Sequence, residues 1–493
     1  MRMNQPLHSL FCFAFFLLSA AIHPSAVFAQ PSTESPTRTP VPGAGELYRS
    51  PVDVVLAADE QWMVTANQTS NSISLIHVAT GKVQDELSEL AHPGTVVRCL
   101  DGQHVAVSCS YAGQVVVVRV DDGKFEKRAT IEVGYEPIGL AVSPSGRIAY
   151  VALAAAGEVA ELDLETAQVT RRFPVGPWPR YLTVSPDGSR LAVGCSGDSK
   201  VAVVDVSEGG DGEVLYRQNL TGAINLGHMQ CSDDGQYVYF PWMVYRSNPI
   251  TTRNIRLGWV LASRIARVRL DGAAYREAIS LDVPRLAVSD PHGLVLSHDQ
   301  QRLVVSASGT HELLVYRNPD LPYVGTGGPG DLIDRKLLDD NDLFYRIDVG
   351  GRPMGMEISR DNRTVYVANF LNDSIQQVDI VSRQIVRELR LSDAASDPAL
   401  MPLERHGMAL FYDGQRSLDQ WYSCHSCHYN GGTNSKSMDT NNDGTELTMK
   451  TVLPLYHVHA TSPWTWHGWQ QDLRHAMQTS FTETMQGDGI SEQ

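Results

Sequence analysis

The sequence predicts a multidomain chain, an all-β seven-bladed propeller followed by a small all-α domain. Two observations predict the propeller. A Ser/Pro/Asp/Gly turn recurs along the chain, and each copy is flanked by short alternating strands at a constant offset. With the third turn position as landmark, the copies fall at Asp59, Asp101, Ser145, Asp187, Asp234, Asp299 and Asp361, spaced 42, 44, 42, 47, 65 and 62 residues apart. A third observation predicts the second domain: beyond residue 402 the apolar period changes from two to that of a helix.

A chain of 493 residues has room for two or three domains with full cores. Its formal charge of -16 argues against a nucleic-acid partner, because phosphate neutralisation needs clustered Lys and Arg. An acidic surface instead steers a basic protein partner.

Residues 1–29 read as a secretory signal, with Arg2 near the start, an apolar run from Leu10 to Ile22, and Val27-Phe28-Ala29 before Gln30. The apolar run, which holds Cys12, is too short to span a bilayer unaided. No other stretch is apolar enough, so the mature chain is expected to carry no membrane span and to be periplasmic or extracellular. Residues 30–50, rich in Pro, Ser, Thr and Gly, read as a flexible linker.

The repeats occupy 51–391. The clearest copies are 182–206, with Ser185-Pro186-Asp187-Gly188, and 356–380, with Ser359-Arg360-Asp361-Asn362. One such unit cannot bury both faces of its sheet, whereas a closed ring of units can. Cys99, Cys109, Cys195 and Cys231 lie in strand-like runs and read as small buried apolar residues. Arg180, His292 and Met354 each sit seven residues ahead of their landmark, with His228 one place out of register. Innermost strands line a propeller's channel, so these four are expected there as water-solvated polar residues. Two repeats carry insertions, 241–264 and 318–344. The first holds Trp242, Tyr245, Trp259, Arg246, Arg253, Arg256 and Arg264; the second holds Gly325-Thr326-Gly327-Gly328. The bland expectation for both is a blade extension or a solvated loop.

After a linker at 392–402, residues 403–493 read as a small haem domain. Leu403, Leu410 and Phe411 form an apolar stripe over 403–413, and Leu473, Met477 and Phe481 form another between Trp469 and Met485. Between them stands Cys424-His425-Ser426-Cys427-His428, the attachment pattern for one covalent haem c. Cys424 and Cys427 are the expected thioether positions and His428 the axial iron ligand. A zinc site would need a second ligand pair, and no other C-x-x-C occurs. Met438, Met449, Met477, His457 and His459 are all open as the sixth ligand, with His459 slightly preferred. The arginines of the first insertion offer guanidinium partners for haem propionates or for a docking protein. Asp439, Asn441, Asp443 and Gly444 match half of a calcium loop, but Lys450 stands where a bidentate Glu is needed, so a plain turn is expected.

Two resemblances follow from these residues. Val365-Tyr366-Val367-Ala368-Asn369 with Asn372-Asp373-Ser374-Ile375, echoed by Ala66-Asn67 and Ser70-Asn71-Ser72-Ile73-Ser74, resembles the YVTN type of propeller repeat. It implies a fold and no chemistry. Arg405-His406-Gly407, Leu410-Phe411-Tyr412-Asp413, the haem motif and Trp466-His467-Gly468 resemble the N-terminal haem domain of di-haem cytochrome c peroxidases. That family uses two haems, whereas this sequence has one C-x-x-C-H and stops at Gln493, shortly after the point where a second haem domain is expected to begin. The expectation is therefore either a truncated member or a one-haem protein. Three functions remain open: electron transfer with a redox partner protein, a peroxidase-like haem oxidoreductase, and a cell-surface binding module.

Overall fold

The computed structural model describes residues 48–272, 276–323, 332–392 and 401–490. The expected signal segment, most of both linkers and Gly325-Thr326-Gly327-Gly328 lie outside the described residues.

Seven antiparallel sheets follow one another along the chain as blades 1 to 7, at 51–87, 93–132, 137–174, 179–219, 223–280, 291–348 and 353–390. Each blade is built from consecutive strands paired in order, innermost first; blade 5 splits its innermost strand into Ala223–Ile224 and Gln230–Cys231. The inner strands are buried on both faces, as in Val52–Leu56, while outermost strands such as Gln168–Pro174 alternate exposed and half-buried residues. Burial on both faces is why the inner strands read as near-continuous Val, Ile, Leu and Ala. The four propeller cysteines are buried among these residues, free of disulfides.

Six innermost strands begin with proline: Pro51, Pro93, Pro137, Pro179, Pro291 and Pro353. Proline is tolerated there because a first strand residue has no ladder bond to lose. In all six blades the register slips beside the proline, and such a bulge re-aims the side chain that follows. Neighbouring inner strands approach closely. A Cβ on Gly227 would sit 2.1 Å from the His292 carbonyl oxygen, so only glycine fits.

The ring closes between blades 7 and 1. The Asp373 carboxylate accepts from the backbone N–H of Arg49 at 2.7 Å and of Ser50 at 2.6 Å. Tyr48 and Ser50, within the stretch expected to be linker, are therefore buried and fixed.

The insertions account for the two long spacings. In blade 5 the hairpin of Tyr237–Tyr245 and Leu261–Arg269 carries helix α1, Thr252–Arg256, between its arms. In blade 6 helix α2, Arg335–Asp339, precedes the outermost strand Phe344–Asp348. The C-terminal region adds α3, Leu403–Phe411; α4, Cys424–Cys427; and α5, Leu473–Thr479, which runs into a π-turn at Ser480–Thr484. Of the stripe expected on α3, Leu410 and Phe411 are half-buried and Leu410 packs against the core, whereas Leu403 is 83% exposed; the buried residue of the helix is Arg405. Its guanidinium donates to Ser50 Oγ at 2.6 Å and to the Leu371 carbonyl at 2.8 Å, so a charged anchor adds to the apolar contacts of Met408 and Leu410 in docking α3 on the propeller. Of the second expected stripe only Phe481, in the π-turn after α5, is buried; Met477 is exposed. Among the described residues no helix is long and apolar enough to cross a membrane.

Candidate functional site

The haem motif forms α4 and its cap. Ser423 precedes the helix in an extended conformation, and its N–H donates to Ser426 Oγ at 3.0 Å. Helical spacing sets Cys424 and Cys427, three residues apart, on one side of α4; His428 caps the helix with φ -99° and ψ 66°, and Tyr429 opens the next turn. The two thiols pack beside Trp421, Tyr422, Met438 and Phe481, and Cys424 Sγ lies 3.9 Å from Met485 Sδ. Burial pushes both thiols up to about 12. His428 Nδ1 is 2.8 Å from the Leu453 carbonyl. A carbonyl can only accept, so Nδ1 carries the proton and Nε2 keeps its lone pair, the state a metal-ligating imidazole needs.

A haem fits these residues. Leu447, Leu453, Tyr456, Trp466, Trp469 and Met477 are all exposed in this small region, so six large apolar side chains are left uncovered by its own chain. A flat apolar macrocycle is the kind of group that such a surface covers. Of the sixth-ligand candidates, Met438 is buried against the propeller, Met449 is half-buried, and Met477, His457 and His459 are exposed. The rings of His457 and His459 lie 6.2 Å apart. The expected turn at Asp439 is present: Asp439 accepts from Asn441 N–H, and Lys450 Nζ lies 2.6 Å from Asp443 Oδ2.

The C-terminal region covers one mouth of the propeller channel, and a periodic collar receives it. Ser50, His92, Glu136, Trp178, Asn225, Asp290 and Arg352 each sit nine residues ahead of a turn landmark. All have φ between 50° and 56°, a left-handed conformation that is rare outside glycine and asparagine. Ser50 accepts from Arg405, Asn225 Nδ2 donates to the Ser426 carbonyl at 3.0 Å, and Arg352 donates to Asn430 Oδ1 at 3.2 Å. Asp290 accepts from the hydroxyls of Ser423 and Ser426. Sequence reasoning missed this collar. The same landmark count that exposed Arg180 would have found it two residues earlier.

The expected convergence of Arg180, His228, His292 and Met354 does occur. They line a cavity of about 520 Å³ between the propeller and the C-terminal region. The His228 and His292 rings meet at a tilt of 55° with their centroids 4.9 Å apart, and Tyr181 Oη is 3.4 Å from His292 Nε2. His425 of α4 and Tyr429 of the turn after it line the same cavity. Burial holds His228 down to about 4 and His292 well below its usual range, so both rings are neutral at pH 7.

The blade 5 insertion is a cradle for the C-terminal region. Trp421 packs on Gly258, Ile250 N–H donates to the Asp439 carbonyl at 2.9 Å, and the Tyr245 hydroxyl donates to the Ser437 carbonyl. Arg256 pairs with Asp419 at 2.9 Å, and Arg264 is wholly buried against Asp282. These two arginines therefore serve packing, while Arg253 is exposed.

Known proteins resemble the chain in two parts. Hydrazine synthase from Kuenenia stuttgartiensis is 19% identical, with a TM-score of 0.60, over 67% of this chain and 96% of that one, which shows the propeller fold alone. Virginiamycin B lyase from Staphylococcus aureus is 13% identical with a TM-score of 0.47, over 65% of this chain and 92% of that one. No curated protein matches the chain. Residues 403–492 match the family described as di-haem cytochrome c peroxidase, a match that implies haem c binding and supports a haem-based redox role; the chain is a seven-bladed propeller followed by a small helical region similar to that family.

Proposed function

We propose that the protein is an exported c-type cytochrome that transfers electrons through one covalently bound haem, with the propeller as its docking platform. In this reading residues 1–29 direct export to the periplasm, 51–391 form the platform, and 403–493 hold the haem. Cys424 and Cys427 form the thioether bonds, and His428 is the axial ligand. The observation that carries the reading is the hydrogen bond from His428 Nδ1 to the Leu453 carbonyl, made by the residue that caps the helix carrying the two thiols.

A bound haem supplies reversible one-electron chemistry at iron. The chain's own residues set its surroundings. Leu453 fixes the imidazole tautomer and ring orientation, and Trp421, Phe481 and Met485 keep water from the thiol side of α4. The acidic chain favours a basic redox partner protein, attracted over roughly a Debye length of about 8 Å at physiological salt.

A second reading, a peroxidase-like oxidoreductase, is favoured by the family match at 403–492. One measurement separates the two: the absorption spectrum of the dithionite-reduced protein, made with c-type haem maturation, before and after carbon monoxide. Electron transfer predicts one covalent haem per chain and a low-spin spectrum that the gas leaves unchanged. A gas-induced shift favours the peroxidase reading. No covalent haem would sink both.

A further inference from the structure

The cavity at the channel mouth is not part of the thiol face of α4, and its charge is unusual for so acidic a chain. Arg352 is 2% exposed, and its Nε and Nη1 have no hydrogen-bond partner. Its remaining nitrogen donates to a neutral amide, Asn430, and its plane lies 3.4 Å from the centre of the Tyr412 ring. Arg180 reaches the same cavity, with its guanidinium 3.8 Å over the Tyr429 ring and its Nε also unpartnered. Among the described residues neither arginine forms a salt bridge.

The carboxylates nearby do not neutralise them. Asp290, which feels Arg352, spends its oxygens on Ser423 and Ser426. Asp53 is pushed up to about 7 by burial and accepts from Val96 N–H. Glu136 stands exposed at the rim. A buried guanidinium with two unpartnered nitrogens, as in Arg352, is costly, and a guanidinium binds a carboxylate through two parallel hydrogen bonds. The walls between them are aromatic rings and neutral imidazoles, and the volume of about 520 Å³ is that of a small-molecule site, far more than an inorganic ion fills.

We propose that this cavity binds a small organic carboxylate, its carboxyl group held by Arg180 and Arg352 and its body against Tyr181 and Tyr429. The proposal stands apart from the haem reading, since it uses none of Cys424, Cys427 and His428, only Arg180, Tyr181 and Arg352 of the propeller and Tyr412, Tyr429 and Asn430 of the C-terminal region. Such a ligand would lie directly behind the haem-attachment helix.

The test is calorimetric titration of the full haem-loaded chain with benzoate, succinate, sulfate and, as the neutral isostere, benzamide. Saturable binding of benzoate or succinate is expected, with benzamide silent. Arg180→Gln should weaken that binding about tenfold or more, as loss of a charged hydrogen-bond pair does. Arg352→Gln should do the same; because Arg352 is buried, its fold is checked by circular dichroism, and the partly accessible Arg180 variant decides if it fails. Binding of sulfate alone, equal binding of benzamide, silence of both carboxylates, or an Arg180→Gln protein that binds like wild type would each overturn the proposal.

Discussion

Ser426, in the middle of the haem motif, donates its hydroxyl to Asp290 of the propeller collar at 2.6 Å. Asp290 Oδ2 takes the Ser423 hydroxyl at 2.5 Å, so one buried carboxylate holds both ends of the turn that starts α4. The serine between the two cysteines is thus a tether between propeller and haem domain. Asp290→Ala leaves two buried hydroxyls without an acceptor, and each costs about 1–3 kcal/mol. The expected result is a lower urea midpoint and faster proteolytic release of the C-terminal region, with a double-mutant cycle against Ser426→Ala giving non-additive losses. Additive losses would mean that the contact does not couple the two parts.

The two arginine pairs of the blade 5 insertion should behave oppositely. Arg264 and Asp282 are both wholly buried, and Arg264 Nη1 also reaches the Ser263 carbonyl and Ser280 Oγ. Removing one member strands the other charge, so Arg264→Ala is expected to cost about 3–5 kcal/mol. Arg256 is 46% exposed, and Arg256→Ala should cost at most about 1 kcal/mol despite its 2.9 Å contact with Asp419. Thermal unfolding of the two variants checks the ranking.

The sequence made these features legible to different degrees, for physical reasons. The haem motif is contiguous, so its spacing alone carries the chemistry of Cys424, Cys427 and His428. The blades are legible because a sheet's period repeats, and the long spacings after Asp234 and Asp299 mark the blades that carry insertions. His228 falls out of register because blade 5 breaks its inner strand. Arg352 and Asp290 were not legible as site residues, since their roles come from a left-handed backbone before a proline and from a partner far along the chain. Arg405 was hidden by the ordinary rule that helices bury apolar residues; its anchor is a set of backbone carbonyls that no periodicity displays.

Ring closure depends on Asp373. Its carboxylate pairs with two backbone N–H groups of residues 49 and 50 and with the Ser392 hydroxyl, so it joins the first blade's entry to the last blade's exit. Asp373→Ala leaves those N–H groups unpaired in a buried place, at about 1–3 kcal/mol each. Hydrogen exchange should show the loss concentrated in the strands of blades 1 and 7. Uniform loss of protection across all seven blades would contradict a closure role.

Asp53 gives the propeller a pH dependence of definite sign. Burial raises its pKa to about 7, with the Val96 and Val54 N–H groups opposing and the nearby Glu357 adding to the rise. In the unfolded chain the same group titrates at the ordinary aspartate value, near 4. Between those values the native chain holds a proton that the unfolded chain has released. Stability from this group is therefore complete below about pH 4 and is lost as pH rises through about 7, a difference of a few kcal/mol at most. Asp53→Asn removes the titration while keeping an acceptor for Val96 N–H. Urea midpoints measured from pH 5 to pH 8 should fall for the wild type relative to Asp53→Asn. Parallel curves would show that Asp53 is ionised throughout that range.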